Sequence, residues 1–190
     1  PVLSQLINEA ESYYKLQYVL GAQRALQFGG DQIMKHMMRM YNCTSSYADR
    51  PRFFSECFYV LLCGAGAGFS VQNHHVDKMP NITDRKKQAK GWVIDDSIEG
   101  WADALGVLLS TFFEGGGQFP DFEGRRVYFD LSQIRPKGAM ISGGFKAPGP
   151  EPLRRALDKI EHLIQSRILA GANRLRPIDV YDIAMHAADA

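Results

Sequence analysis

The chain has 190 residues, of which 45% are hydrophobic and 23% are charged, values that are typical of a folded globular protein. Its formal net charge is only +1, so we expect no nucleic-acid partner. Its longest apolar run, residues 58–69, is broken by glycines and is shorter than the roughly 20 residues that cross a bilayer, so we expect no membrane-spanning segment and no membrane partner. Three cysteines, an odd number, argue against a disulfide framework and predict a cytoplasmic protein.

The first half of the chain predicts a strand, a helix and a second strand. Cys43 lies in a short β-prone stretch, and Asp49 and Pro51 then predict an N-cap and a first helical turn. The apolar residues of this helix recur at helical spacing until a run of glycines ends it; they are Phe54, Cys57, Phe58, Leu61 and Leu62. A short strand signal follows at residues 69–71, and the polar segment 81–90 predicts a loop.

The second half predicts three helices and one strand. One helix begins near Asp96, where Glu99 completes a capping box, and continues to a glycine triplet at 115–117. Residues 126–131 alternate between polar and apolar, which predicts a strand. Two further helices follow a Gly/Pro-rich loop, and the last runs from about residue 179 without a closing signal. We therefore expect an α/β protein with parallel strands, and we interpret the open last helix as a sign of a truncated or split domain.

A cysteine on a predicted strand is a candidate reactive group. The Cys43 side chain would face one side of the sheet or the other, because successive side chains alternate along a strand. A lone cysteine is more often an inert core residue than a reactive one. Its position alone therefore leaves a catalytic and a structural interpretation open.

The glycine-rich segment 64–69 shares only its composition with a dinucleotide fingerprint. That motif follows a strand and opens a helix, whereas these glycines follow a predicted helix and precede a predicted strand. Asp84 lies downstream at a suitable distance for a ribose contact, but it falls in the polar loop. The glycines allow backbone to approach a ligand closely, and they suit a plain helix-to-strand turn equally well.

The loop at residues 142–150 and the histidines are weaker candidates. The loop carries Lys146 and leads into a helix N-terminus, which can hold an anion through backbone N–H groups. It lacks the Lys-Ser/Thr ending of a phosphate-binding P-loop, and a surface connection is the simpler interpretation. The five histidines show no metal-ligand spacing and the cysteines are not paired, so we expect no metal site.

Taken in order, segments of this chain resemble those of ribonucleotide reductase catalytic chains. The matching stretches are Tyr-Asn-Cys at 41–43, the glycine-rich run 61–71, Glu-Gly-Trp at 99–101, the strand segment 129–139, the loop 143–153 and the helix segment 176–183. Ordered matches cover residues 23–190. The Ile-Arg-Pro-Lys-Gly and Gly-Pro-Glu-Pro-Leu stretches look most like the adenosylcobalamin-dependent class, including phage-borne forms.

The resemblance implies a fold and a set of site residues. The fold is the N-terminal part of a ten-stranded α/β barrel, in which parallel strands alternate with helices, and residues 1–190 are one incomplete domain of it. Cys43 corresponds to one of the two cysteines that reduce the substrate. The implied contacts are Asn42, Thr44, Ala65 and Gly66 for the substrate, Asp49 for a deoxynucleotide effector, and Gly143, Gly144, Phe145 and Lys146 for the specificity loop that links the two sites. For Asp49 the N-cap interpretation is at least as good.

The resemblance also implies an activity and partners. A member of this family converts ribonucleotides to 2′-deoxyribonucleotides by thiyl-radical chemistry for DNA synthesis, with a thioredoxin-like reductant, and its adenosylcobalamin would bind mainly outside this chain. The Asn-Pro-Cys-Gly-Glu-like segment with the thiyl cysteine is missing here, which implies that the remaining C-terminal half of the reductase supplies it. Cys57 and Cys63 are expected to be structural. The alternative is a non-catalytic, nucleotide-binding or structural half of a split reductase.

Overall fold

The structure, a computed structural model, describes residues 2–141 and 144–190. The chain divides into two compact units, Pro1–Asn42 and Cys43–Ala190. The smaller unit is helical, and the larger one combines helices with parallel strands.

The N-terminal unit consists of helices for which the sequence patterns gave no prediction. They are α1 (Val2–Lys15), α2 (Gln23–Phe28) and α3 (Asp31–Lys35), and a 3-10 turn at Met37–Met40 follows them. None of the α1 residues is buried. Phe28 contributes local packing, because the guanidinium groups of Arg24 and Arg39 lie 5.7 Å and 5.6 Å from its ring centroid.

The larger unit contains two β-α-β units, each with parallel strands, as the sequence predicts. The first consists of β1 (Cys43–Tyr47), α4 (Arg52–Leu62) and β2 (Gly66–Ser70), after which comes the short helix α5 (Asn73–Val76). The second consists of β3 (Lys87–Val93), α6 (Ile98–Ser110) and β4 (Arg125–Asp130), and the long helices α7 (Glu151–Leu169) and α8 (Pro177–Ala188) follow it. In the described residues the strands form two separate pairs, so they do not close a barrel.

Strand β3 begins inside segment 81–90, which the sequence predicts to be a polar loop. The prediction is wrong for residues 87–90, which belong to the strand, whereas residues 81–86 lie outside the helices and strands. Most of its side chains are exposed, so apolar alternation does not mark it. It pairs with β4 in parallel register, with Trp92 opposite Phe129. Trp92 anchors the strand, since its ring packs edge-on against Phe119 and Phe122 at centroid distances of 5.4 Å and 5.6 Å. Pairing with β4, which is distant in sequence, therefore decides that this segment forms a strand.

The start of α4 differs from its predicted cap. The helix begins after Pro51, and no side chain caps it. The carboxylate of Asp49 is engaged elsewhere, because its Oδ1 atom accepts a hydrogen bond from Nη1 of Arg50 at 2.7 Å. The N-cap interpretation of Asp49 is therefore wrong.

The start of α6 is displaced by one residue from its predicted cap. The cap is Ser97, whose Oγ atom accepts a hydrogen bond from the N–H of Gly100 at 3.0 Å. Asp96 instead forms an ion pair with Arg135 at 2.6 Å, so the predicted capping box is wrong. The helix also ends at Ser110, before the glycine triplet that was expected to end it.

Helices α4, α6, α7 and α8 contribute most of the apolar core of the larger unit. Its largest fully buried side chains are Phe53, Phe54, Ile94, Leu105, Leu108, Leu109, Phe112, Phe113, Leu153, Ile160, Ile164 and Ile183. Burial of apolar surface stabilises a fold by about 25 cal/mol per Å². The predicted helices in the regions of α6, α7 and α8 are confirmed, because their periodic apolar residues are the ones that this core buries.

Candidate functional site

The first pair of strands presents one open face. Alternation along β1 directs Cys43, Ser45 and Tyr47 to one side, where all three are exposed. Thr44 and Ser46 point to the other side, where they are half-buried. The parallel register adds three residues of β2 to the side of Cys43, the exposed Gly66 and Gly68 and the half-buried Ser70. We call the surface formed by these six residues, Cys43, Ser45, Tyr47, Gly66, Gly68 and Ser70, the open face.

Cys43 lies at the first position of β1, directly opposite Gly66. Its thiol is free and exposed. Because Gly66 has no side chain, the backbone beside the thiol is accessible to a ligand. The structure therefore brings together two of the residues that the sequence analysis assigned to the site.

Thr44 lies on the opposite side of β1 from Cys43. It borders a cavity of about 200 Å³ that is also lined by Glu56 and Cys57 of α4. Cys57 is buried, and this burial raises the pKa of its thiol to about 11. The Thr44 side chain therefore does not lie on the face that carries the exposed thiol of Cys43. With this raised pKa, the thiol of Cys57 stays protonated near neutral pH.

Two other predicted substrate contacts are engaged within the protein. Asn42 is the last residue of the N-terminal unit, and its Oδ1 atom accepts a hydrogen bond from Nε of Arg24 at 3.0 Å. Ala65 is buried, and its N–H donates to the carbonyl of Val60 at 3.2 Å. The methyl group of Ala65 is therefore not available to a ligand.

Asp49 lies beyond the end of β1 and is partly exposed. It forms an ion pair with Arg50, whose other terminal nitrogen lies 2.5 Å from Glu56. The hydrogen bond from Arg50 holds the pKa of Asp49 below its ordinary value; partial burial opposes this shift, and the charges of Arg50 and Lys78 add to it. Asp49 is therefore an anion that can accept a hydrogen bond from a ligand hydroxyl group.

The predicted specificity loop lies in the segment between β4 and α7. Gly143 lies outside the described residues. Gly144 has a φ of 78°, in the left-handed region that favours glycine. Phe145 is 58% exposed, and the exposed Lys146 forms an antiparallel bridge with Met140. Residues 145 and 146 therefore present an exposed aromatic and an exposed cationic side chain next to each other in sequence.

The carboxyl ends of β1 and β2 carry a cluster that the sequence analysis did not identify. Tyr47 and Ser70 are the last residues of the two strands and lie opposite each other. His75 of α5 has its Nδ1 atom 3.0 Å from Oγ of Ser70, and its ring centroid lies 4.6 Å from that of Tyr47. The sequence analysis considered the histidines only as potential metal ligands. The missed signal is their place just after a strand of a parallel pair, since ligands bind at the carboxyl ends of such strands.

Metal and membrane features are absent from residues 2–141 and 144–190. Within these ranges, no group of three or more His, Cys, Asp or Glu side chains could hold a metal ion. No helix in the same ranges is both long enough and apolar enough to span a membrane.

The fold of the chain is that of part of a known class of enzyme. A crystal structure of a B12-dependent (class II) ribonucleotide reductase matches 97% of this chain and 32% of that chain, with a TM-score of 0.83 and 24% sequence identity. At this level of sequence identity, the match establishes the fold of this chain and no more. The prediction of an α/β architecture that forms part of a larger barrel is thereby confirmed.

Curated relatives belong to the same class. The chain is 27% identical to the adenosylcobalamin-dependent ribonucleoside-triphosphate reductase of Lactobacillus acidophilus, over 96% of this chain and 32% of that protein. It is 27% identical to the corresponding protein of Lactobacillus leichmannii, over 94% of this chain and 31% of that protein. For a putative reductase of the same description from Mycobacterium phage D29, the identity is 25%, over 84% of this chain and 27% of that protein. The chain thus spans about a third of the length of the curated relatives it matches.

A family model described as B12-dependent ribonucleotide reductase, insertion domain, matches residues 67–164, which is just over half of the chain. The chain belongs to the B12-dependent ribonucleotide reductases. The resemblance drawn from ordered motifs is therefore confirmed. The assignment of all 190 residues to one incomplete barrel domain stays a prediction.

Proposed function

We propose that this chain is part of a ribonucleotide reductase that converts ribonucleoside triphosphates to 2′-deoxyribonucleotides for DNA synthesis, and that Cys43 is one of its two reducing thiols. The choice of triphosphates rests on the relatives, which are named ribonucleoside-triphosphate reductases. The observation that carries the proposal is the exposed thiol of Cys43 on the open face, opposite Gly66.

The proposed reaction replaces the 2′-hydroxyl group of the ribose with hydrogen and releases that hydroxyl as water. Two thiols supply two protons and two electrons and become a disulfide, which balances atoms and electrons. Thiyl-radical chemistry starts the reaction, and we propose that the radical forms outside these residues. Cys43 contributes one sulfur. Because Cys57 and Cys63 are both buried, we propose that the second sulfur comes from the remaining part of the reductase.

Substrate contacts surround Cys43 in this proposal. Gly66 accommodates the ribose beside the thiol, because a glycine leaves the backbone accessible there. Asn42 offers the nitrogen of its side-chain amide, because its Oδ1 atom already accepts a hydrogen bond from Arg24. Thr44 and Ala65 contribute main-chain groups, because their side chains are turned away from the open face or buried.

A deoxynucleotide effector is assigned to Asp49 and to the specificity loop at residues 143–146. The ionised carboxylate of Asp49 can accept a hydrogen bond from a sugar hydroxyl group. In the loop, the exposed ring of Phe145 can stack on a base, and Lys146 can pair with a phosphate group. We propose that this loop transmits the identity of the effector to the active site.

The relatives are named adenosylcobalamin-dependent reductases. We propose that adenosylcobalamin would supply the radical chemistry when bound, and that it binds mainly outside these 190 residues. The open face contributes to this chemistry the exposed thiol of Cys43. A thioredoxin-like reductant would return the oxidised thiols to the reduced state. Such a cycle requires a reducing compartment, so we propose that the protein is cytoplasmic.

The test is a single turnover, without external reductant, of the reductase that contains this chain, followed by peptide mapping. We expect Cys43 to be disulfide-bonded to a cysteine outside these 190 residues. Cys43→Ser should fold and should block multiple turnover, whereas the matched control Cys57→Ser should retain turnover because Cys57 is buried on α4. Product formation with Cys43 still open to alkylation would contradict the proposal.

A further inference from the structure

The N-terminal unit has no apolar core of its own. None of residues 2–42 is buried, and most of the exposed large apolar side chains of the described residues belong to this unit. Burial of apolar surface is the main favourable contribution to folding, and small units bury the least of it. An apolar surface that stays exposed in this way marks a site of interaction with another surface.

Helix α1 separates its apolar and aromatic residues completely from its polar ones. At 3.6 residues per turn, the apolar and aromatic side chains fall within an arc of about 140°, and every polar side chain falls outside it. The large side chains of this arc, which we call the α1 stripe, are Val2, Leu3, Leu6, Ile7, Tyr13 and Tyr14. All six are exposed, Leu3 to 70% and Leu6 to 55%. A helix with this pattern packs against an apolar core, so the α1 stripe requires a covering surface.

The width and length of the α1 stripe do not suit pairing with a second copy of α1. A coiled-coil seam is narrower than this arc and continues over at least about 3–4 heptads, whereas α1 has 14 residues, the length of two heptads. A stable interface between two proteins involves about 20–30 residues on each side, far more than the stripe contains. A stripe wider than about 100° is instead typical of a helix that packs on the core of a larger globular body.

The polar side of α1 does not suit a membrane surface. Helices that lie in a membrane interface carry lysine and arginine on their polar side. The charged residues of α1 are Glu9, Glu11 and Lys15, and Nζ of Lys15 lies 2.6 Å from the carboxylate of Glu11. The polar side therefore has a net negative charge, which anionic lipids would repel.

The fold match indicates the covering body. It includes 97% of this chain, and therefore most of the N-terminal unit, but only 32% of the matched reductase, so the larger part of that enzyme lies outside the matched region. We propose that the α1 stripe is a docking surface for the remaining part of the reductase and is buried against an apolar surface of that part. This inference rests on the proposed function, which makes the chain part of a larger reductase, and it names the surface that holds the remaining part.

The test compares amide hydrogen exchange of α1, measured by mass spectrometry, in the 190-residue chain and in the reductase that contains it. A helix of about 12–15 residues without tertiary packing is marginally stable in water, so the amides of α1 should exchange rapidly in the chain alone. In the reductase they should exchange at least roughly 10-fold more slowly, because packing suppresses local opening. Equal exchange in the two samples would overturn the proposal.

Two glutamate substitutions test the stripe itself. Leu6→Glu introduces a charge within the α1 stripe, and the matched control Asn8→Glu introduces the same charge on the opposite side of the helix. In the reductase, Leu6→Glu should abolish the protection of α1, because an unpaired charge resists burial. Asn8→Glu should keep that protection to within about twofold, as expected of a surface substitution.

A smaller change at the same position keeps the test decisive if Leu6→Glu does not assemble into the reductase. Leu6→Ala then takes its place, and it should reduce the protection of α1 because it removes buried methyl groups. Protection of α1 that neither substitution of Leu6 changes would overturn the proposal.

Two further outcomes would assign the α1 stripe to another occupant and would also overturn the proposal. One is a dimer of the 190-residue chain, seen by sedimentation velocity, that Leu6→Glu dissociates. The other is binding of the chain to phosphatidylcholine–phosphatidylserine vesicles that Leu6→Glu abolishes. The Cys43 disulfide tests the proposed function without reference to α1. Oxidation of Cys43 on turnover together with an unprotected α1 would therefore remove the docking surface and leave the proposed function standing.

Discussion

The three cysteines of the chain lie in different surroundings, and their reactivities should differ accordingly. Strand alternation leaves Cys43 exposed on the open face. Cys57 lies on the buried side of α4, and Cys63 is buried where that helix ends. A thiol reacts as its thiolate, and burial in apolar surroundings disfavours the thiolate. The direction of one side chain on β1 therefore distinguishes the candidate redox thiol from the structural ones.

We expect iodoacetamide to modify Cys43 and to leave Cys57 unmodified at about pH 8. The pKa of Cys57 is raised to about 11 by burial, so its thiolate is a minor species at that pH, and only 7% of the residue is exposed. Peptide mass mapping after a short exposure to the reagent measures both sites. In the urea-unfolded chain, the control, both cysteines should react. Labelling of Cys57 at the rate of Cys43 in the folded chain would show that α4 does not protect it.

The first turn of helix α6 packs closely against the backbone of Asp95, which precedes it, at Gly100. A Cβ atom on Gly100 would lie 2.4 Å from the carbonyl oxygen of Asp95 and 3.0 Å from its carbonyl carbon. These are backbone atoms, so they cannot rotate away as the end of a flexible side chain does. The missing side chain of Gly100 therefore permits the turn in which Ser97 caps the helix.

Gly100→Ala should lower the free energy of unfolding by about 1–3 kcal/mol, the usual cost of forcing an extra carbon into a packed site. Urea denaturation measures the change. The matched control is Gly91→Ala on β3, where no atom lies within 4 Å of the added carbon and the stability should change by less than about 0.5 kcal/mol. Equal stability of the two variants would mean that the start of α6 is loosely packed.

Asp179 joins helices α7 and α8. Its carboxylate accepts hydrogen bonds from Nη2 and from the backbone N–H of Arg176, both at 2.8 Å. Nε of Arg167, on α7, lies 3.0 Å from the same carboxylate as an ion pair that lacks hydrogen-bond geometry. Burial opposes the ionisation of Asp179, but the hydrogen bonds from Arg176 and the charges of Arg167 and Arg176 outweigh it and hold its pKa below the ordinary value.

Asp179→Asn should lower the free energy of unfolding by about 1–3 kcal/mol at neutral pH, because it weakens hydrogen bonds to a charged group. Since the pKa is lowered in the folded state, this stabilisation is present above the unfolded value of about 3.9 and is lost as the pH falls through the folded pKa. The difference in stability between wild type and variant should therefore shrink on acidification. Asp158→Asn is the control, since Asp158 is 64% exposed and lies 4.0 Å from Arg154. A difference that stays constant down to low pH would contradict the role of the Asp179 charge.

On the scale of the whole molecule, the chain has one exposed thiol and spans about a third of the length of its curated relatives. Reduction of a ribonucleotide consumes two thiols for each product. Both other cysteines are buried, so the described residues offer Cys43 no exposed partner. The catalytic unit that we propose is therefore larger than this chain.

We expect the purified 190-residue chain to show no ribonucleotide reduction, with or without adenosylcobalamin. The physical reason is the missing second accessible thiol and the missing thiyl-bearing segment. The assay measures deoxynucleotide formation, with the full-length enzyme of Lactobacillus leichmannii as the positive control. Product formation by the chain alone, clearly above a sample without protein, would contradict this expectation.

Periodicity along the sequence was sufficient to predict helices α4, α6, α7 and α8, strand β4 and the parallel α/β class, because a buried face repeats locally at the period of its element. The strand at Cys43 was predicted from its β-prone residues. Ordered motifs were sufficient to predict the family. Side-chain capping was not predictable to the residue, since Ser97 and Asp96 are both good cap residues and the surrounding contacts select one of them.

Pairing between distant segments decided the remaining features. Strand β3 exists because it pairs with β4, and no local apolar pattern marks it. The orientation of Cys43 toward the open face, its register opposite Gly66 and the contact between Tyr47 and His75 all follow from the packing of β1, β2 and the adjoining helices. A one-residue change of register would reverse the face of every side chain on a strand, and the energy that selects the register comes from tertiary packing that no short stretch of sequence contains.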